Sequence, residues 1–202
     1  MRVFITDCEG PITKNDNAME LCGHFIPQGE RFFSAISRYD DYLAYEERRP
    51  GYKAGDTLKL IAPFLIAFGV TERVIEEFSR EHLLLMPKAD RVLRHLQRVM
   101  PLYLVSTSYE PYIRALCSLV GLPLERTFST RWPQGEIRLR EEDRRDLEDL
   151  AQEIVNLPPL RWSQGGEVEE GSRGTLERLN EIFWDDLPRR GEVAQILSLI
   201  HI

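Results

Sequence analysis

Two carboxylates, Asp7 and Glu9, stand two residues apart directly behind the run VFIT at residues 3 to 6, which reads as a β-strand. Side chains alternate along a strand, so positions 7 and 9 project toward one side. Gly10 then lets the backbone turn sharply and approach a ligand closely. Carboxylates placed in this way divide a phosphoryl-transfer reaction between them. One attacks phosphorus as a nucleophile, and the other protonates the leaving oxygen and later activates water, an acid–base contribution of roughly 10²–10⁴ in rate. A second constellation follows the apolar run LYLV at residues 102 to 105, where hydroxyls occupy 106, 107 and 108. Ser106 is read as the first residue past that strand, where its hydroxyl and the free N–H groups of a turn hold a phosphoryl oxygen. Ser106 and Thr107 are the candidate substrate-binding residues, although the commoner role of Thr107 and Ser108 is to cap the helix that follows.

The elements that must position these groups follow from periodicity. Residues 3 to 6 are apolar without interruption, the pattern of a parallel strand buried on both faces. From about residue 14 to 87 the pattern is helical: Leu58, Ile61, Ala62 and Leu65 share one face, and Thr71 is placed to cap a helix carrying Val74, Ile75 and Phe78. A helix over 88–100 sets Val92, Leu93, Leu96, Val99 and Met100 against Arg91, Arg94 and Arg98, and Pro101 stops it. LYLV then forms a strand, followed by a helix with Ile113, Leu116, Cys117 and Val120 at spacings of three and four. TFSTRW and EIRLR read as short strands or a hairpin. Leu147, Leu150, Ala151, Ile154 and Val155 mark one more amphipathic helix, and Gly165, Gly166, Gly171 and Gly174 mark a loop. Two strand–helix units separated by a helical stretch predict an α/β fold. Its core is a parallel sheet built from residues 1–13 and 88–202, with an all-helical insertion at 14–87. Open sheets of this kind bind ligands at the carboxyl ends of their strands, where both constellations lie.

The chain has 202 residues, 43% of them apolar, enough for one α/β domain or a core with a smaller insertion. A net charge of −7 excludes nucleic acid and anionic membrane as partners, because such binding rests on many Lys and Arg contacts. A single phosphoryl group is still accommodated, since a pocket's field is set by a few nearby groups. Cys8, Cys22 and Cys117 show no metal or disulfide spacing and read as buried thiols. The short apolar start is no signal peptide and no later run spans a bilayer, so the expected location is cytoplasmic. His24, His82 and His95 have no ligand spacing. The cluster Arg38, Tyr39, Asp40, Asp41, Tyr42, Tyr45, Arg48, Arg49 and Lys53 reads either as the substrate side of the insertion or as a solvated face with packed rings. Glu141 to Asp149 reads as a solvated helix face.

The motifs VFITDCEGPIT and LYLVSTSY resemble those of the haloacid-dehalogenase-like (HAD) superfamily, in which an apolar strand precedes D-x-D-G and a second precedes Ser or Thr. The helical stretch between them resembles the cap of phosphoserine-phosphatase-like members. DCEGPITKNDNAMELC, RFFSAISRYDDYLAYE, RRPGYKAGDTLKLIAPFLIAFGV and VSTSYEPYIRAL are similar to the archaeal HAD-like family named for energy-converting hydrogenase A subunit R, over about residues 1–130. The resemblance implies a Rossmann-like core and a Mg²⁺-dependent hydrolysis of a small phosphorylated metabolite through an aspartyl-phosphate. It implies Asp7 as nucleophile and metal ligand, Glu9 as acid/base that also offers its backbone carbonyl to Mg²⁺, and Ser106 as the phosphate-binding hydroxyl. The family's name implies an alternative, a non-catalytic accessory of a hydrogenase complex. A dehalogenase is disfavoured, because a halide leaving group needs no proton from Glu9. Two departures stand out. Glu9 replaces the usual Asp with a side chain one methylene longer. No Lys follows residue 131, and Asp185-Asp186 follows IFW in a helical stretch, a poor substitute for the superfamily's second acidic pair. The expectation is a C-terminally truncated fragment, inactive as it stands, whose tail LSLIHI is foreign and whose first strand is left as a sheet edge.

Overall fold

The computed structural model describes residues 2–133 and 139–200. Three short runs rich in β-branched and aromatic residues form one parallel sheet in the order β1 (Phe4–Thr6), β2 (Leu102–Tyr109), β3 (Thr127–Thr130). Phe4 pairs with Leu102 and Thr6 with Leu104, while Leu104 pairs with Thr127 and Val105 with Phe128. The α/β class and the parallel sheet are therefore as expected. The second strand differs from the sequence reading, because it runs on through Ser106, Thr107 and Ser108 to Tyr109, with a register irregularity between Val105 and Tyr109. Pairing with β3 carries the strand past the point where apolar residues give out, which local pattern alone does not register. TFST forms the short strand β3, as one of the two readings of TFSTRW has it, while residues 134–138, which hold most of EIRLR, lie outside the described residues.

Between β1 and β2 the described chain is helical. Its helices are α1 (Asn17–Phe25), α2 (Gly29–Asp41, continued by a wider π turn at Tyr42–Glu46), α3 (Thr57–Ala67), α4 (Glu72–His82) and α5 (Ala89–Val99). Asp16 and Thr71 cap α1 and α4 by accepting from the N–H groups of Met19 and Val74, satisfying donors that a helix start leaves free. α6 (Glu110–Val120) follows β2 directly and ends on Gly121 in the left-handed region. The last third holds α7 (Glu141–Asn156), α8 (Arg173–Asn180) and α9 (Gly191–Leu199). Gly171 and Gly174, expected in a loop, lie instead in a short 3₁₀ turn and in α8. α7 packs on α2 and α3, and α9 packs on α3, so these helices join the helical layer and not the sheet. The core runs through that layer: Phe32, Ile36, Leu43, Ile61, Phe64, Leu65, Leu147 and Phe183 are all buried. All three cysteines are buried and free.

Among the described residues β1 lies at an edge of the sheet and is not covered on both faces. Leu102, Leu104, Ser106 and Ser108 point into the helical layer and are buried. On the opposite face Ile5 is 65% exposed and Phe128 56%, with Val105 also open to solvent. α9, which makes up most of the tail, does not fill this gap, because it is held on α3. An apolar edge strand with unpaired N–H and C=O groups templates pairing with another chain. Ile5→Lys is therefore expected to raise the concentration at which the 202-residue chain stays monomeric in sedimentation velocity, and unchanged association would contradict this reading.

Candidate active site

The chain leaves β1 at Thr6 and enters a closed turn that sets the two carboxylates apart. Cys8 is fully buried, and its carbonyl accepts from the N–H groups of Ile12 (2.9 Å) and Thr13 (3.0 Å). Gly10, at φ 93°, occupies the left-handed region that a residue with a Cβ avoids, and its N–H reaches the Thr13 carbonyl at 2.8 Å. Thr13 is buried and braces the turn from below, its hydroxyl accepting from Tyr112 Oη at 2.8 Å and lying 3.8 Å from Cys8 Sγ. Burial pushes the Cys8 thiol up to about 12, so it stays protonated and is no nucleophile.

Asp7 is exposed at the carboxyl end of β1. Its Oδ1 accepts the Cys8 N–H at 2.6 Å, which orients the carboxylate, and Oδ2 has no hydrogen-bond partner among the described residues. Glu9 is half-buried, and its Oε1 accepts from the Asn17 N–H at the start of α1 and from Ser108 Oγ, both at 3.0 Å. Burial raises the Glu9 carboxyl above its ordinary range. The donors Asn17 and Ser108 oppose that rise, and the nearby charges of Asp16 and Asp7 add to it.

The hydroxyls of β2 divide their work by strand alternation. Ser106 is buried; its Oγ donates to Ser108 Oγ at 3.0 Å and accepts the Ser108 N–H at 3.1 Å. Ser108, read from sequence as a helix cap, makes the contact to Glu9 instead, while α6 begins with no side-chain cap. Ser106 thus reaches Glu9 only through Ser108. Thr107 is exposed and lines a cavity of about 210 Å³ together with Glu9, Asp16, Asp40, Thr57 and Ser108. The far wall of that cavity is a loop held by Asp40, which is buried and accepts from Tyr52 Oη (2.6 Å) and the Gly55 N–H (3.1 Å). Gly55 sits so close to Thr107 that a Cβ there would lie 3.3 Å from its methyl group.

Of the charged and tyrosine cluster read from the sequence, Asp40 lines this cavity, held there by Tyr52, which lies outside that cluster. Arg38, Arg49 and Tyr39 pack elsewhere, while Asp41, Tyr45 and Arg48 are exposed. Arg38 lies over the Trp162 ring at 3.8 Å and Arg49 over Trp184 at 4.2 Å. Tyr39 Oη donates to Asn180 and accepts from Trp184 Nε1. His24 and His82 pack against Phe78. Asp185 and Asp186 lie in a helical turn and pair with Arg189 and Arg178. A larger hollow of about 510 Å³ between α2 and α7 contains none of Asp7, Glu9 and the β2 hydroxyls. Asn17, Thr57 and Ser108 were not singled out as site residues from sequence. Ser108 carries a usable signal, because Ser106 and Ser108 share a face once the strand is extended by period two.

Among the described residues no three His, Cys, Asp or Glu side chains group as a metal site. The oxygens that the family resemblance would assign to a cation are those of the Asp7 carboxylate and the Glu9 carbonyl. A pair of this kind suits a hard cation that keeps several waters and shares the substrate's phosphate, as Mg²⁺ does.

No protein-family model matches the chain, and no curated protein matches it. A solved structure, that of gene product AF1437 from Archaeoglobus fulgidus, is similar at 34% identity with a TM-score of 0.83. The similarity covers 98% of this chain and 57% of that one, so the chain spans little more than half the length of its solved relative. No helix among the described residues is long and apolar enough to cross a membrane.

Proposed function

We propose that the chain carries the nucleophile and acid/base of a Mg²⁺-dependent phosphohydrolase acting on a small phosphorylated metabolite. The observation that supports this best is the pairing of an exposed, oriented Asp7 with a half-buried Glu9 held by two donors at the end of a parallel strand. Bound Mg²⁺ would supply charge neutralisation at the phosphoryl oxygens, held by Asp7 and the Glu9 carbonyl. Asp7 Oδ2 attacks phosphorus and forms an aspartyl-phosphate as the bond to the leaving oxygen breaks, and Glu9 gives its proton to that oxygen. Glu9 then takes a proton from water, whose oxygen displaces Asp7 and releases inorganic phosphate. A carboxyl raised by burial suits the first of these steps, since the shift favours its protonated form. Thr107, exposed beside the cavity, and the N–H groups near it are the nearest donors for phosphoryl oxygens; Ser106 supports them from beneath through Ser108.

The test is turnover of a panel of phosphorylated metabolites with Mg²⁺ by the full natural chain that carries these residues. Release of phosphate is expected, and no release from any of them would overturn the reading.

Two further results are expected. Ser108→Ala removes a buried donor to a carboxylate, an interaction worth about 1.5 kcal/mol. It should lower kcat about ten-fold with KM little changed. An unchanged kcat would separate Ser108 from the chemistry. Calorimetry on the 202-residue chain should show only weak Mg²⁺ binding, strengthened by inorganic phosphate, because the chain offers two oxygen ligands at the strand end. Tight binding without phosphate would mean that further ligands exist.

A further inference from the structure

The hollow between α2 and α7 takes its walls from widely separated parts of the chain. Met19 comes from α1, Ala35 from α2, Ile154 and Val155 from α7, Leu160 from the turn that follows, and Leu179 from α8. Its lining is mostly apolar, and its volume of about 510 Å³ falls within the range of about 300–1,000 Å³ usual for small-molecule sites.

Charge supplies an independent observation. Arg31, Arg38 and Arg161 line this hollow against a single acidic residue, Glu30, in a chain whose net charge is −7. None of the three makes an ion pair among the described residues, whereas Arg114, Arg140, Arg178 and Arg190 each hold two or more carboxylates. Arg38 is also oriented in advance. Its Nε donates to the Leu160 carbonyl at 3.2 Å and its guanidinium lies 3.8 Å over the Trp162 ring, while its two terminal nitrogens bond to nothing among the described residues. A guanidinium held in this way loses little freedom when its outer edge takes up an anion.

We infer that this hollow binds a small molecule with an apolar body and one anionic end, the body against Ile154, Val155 and Leu179 and the anion on the arginines. A neutral apolar molecule would gain burial alone, and a cation would meet like charge. The ligand would bridge α2 to α7 and α8, so binding should raise the melting temperature as its concentration rises. The inference does not depend on the phosphohydrolase reading, because the hollow contains none of the residues that reading uses.

The test titrates the 202-residue chain with 4-phenylbutyrate, 4-phenylbutanol and 4-phenylbutylamine, which share one apolar body and differ in charge, by calorimetry and by thermal melts. At low salt the acid should bind at least about five-fold tighter than the alcohol, the worth of two or three partly exposed ion pairs, and the amine weakest of all. Added salt should narrow the difference. Arg161→Gln removes a charge whose side chain makes no hydrogen bond among the described residues, so it should weaken binding of the acid several-fold and leave the unliganded melt unchanged. Ala35→Phe places bulk inside the hollow and should abolish binding of all three probes, the unliganded melt showing that the variant is folded. Equal binding of acid and alcohol, no binding of the acid, or full binding of the acid by either variant would overturn the inference.

Discussion

Asp7→Asn is expected to lower turnover of any phosphorylated substrate by at least about 10³ while leaving the fold intact. The amide keeps the shape of the side chain and can still accept the Cys8 N–H through its oxygen, so the turn should close as before. What it loses is the anionic oxygen that attacks phosphorus and shares the cation. Because Asp7 is exposed and makes no ion pair among the described residues, its stability cost should fall within about 0.5 kcal/mol. Phosphate release and thermal unfolding measured on the same preparation check both halves. A variant that keeps activity within about ten-fold of the parent would remove Asp7 from the chemistry.

Gly29→Ala carries the largest expected effect on stability. Gly29 opens α2 where the chain turns back on α1, and a Cβ there would lie 1.7 Å from the Cys22 carbonyl oxygen and 2.3 Å from its carbon. Both are backbone atoms, so no rotamer change relieves the clash and the two helices must part. α2 carries Asp40, which anchors the loop against Thr107, so the separation would reach the cavity wall as well. A loss of about 3 kcal/mol is expected in urea unfolding. Gly174→Ala is the control. That residue is helical with nothing within 4 Å of a built Cβ, and Ala there should be neutral or slightly stabilising. Equal stability of the two variants would mean that the α1–α2 contact is looser than described.

Local pattern was sufficient for much of this architecture. The strand before Asp7, the Thr71 cap, the α6 stripe of Ile113, Leu116, Cys117 and Val120, and the α7 stripe of Leu147 to Val155 all follow from periodicity and capping chemistry, and all are found. What failed depends on partners distant in the chain. VFIT reads the same whether a strand is central or at an edge, so the exposure of Ile5 is invisible to its own composition. β2 extends to Tyr109 because β3 pairs with it, and that extension brings Ser108 to Glu9 while leaving Ser106 beneath. In α5 the expected stripe leaves Val92 and Val99 exposed, since the helix packs on α6 by one edge only. Asp40 looked like one charge in a solvated run, and only the fold brings Tyr52 and Gly55 onto it.

The claim that Asp7 becomes covalently phosphorylated is tested most directly by acid-quenching the full natural chain during turnover with Mg²⁺ and mapping the added phosphoryl group by peptide mass analysis. The account predicts one phosphoryl group on the peptide that holds Asp7, released by mild base and absent from Asp7→Asn. A phosphoryl group on Ser106, Ser108 or another residue, or sustained hydrolysis with no phosphorylated chain at any quench time, would contradict it.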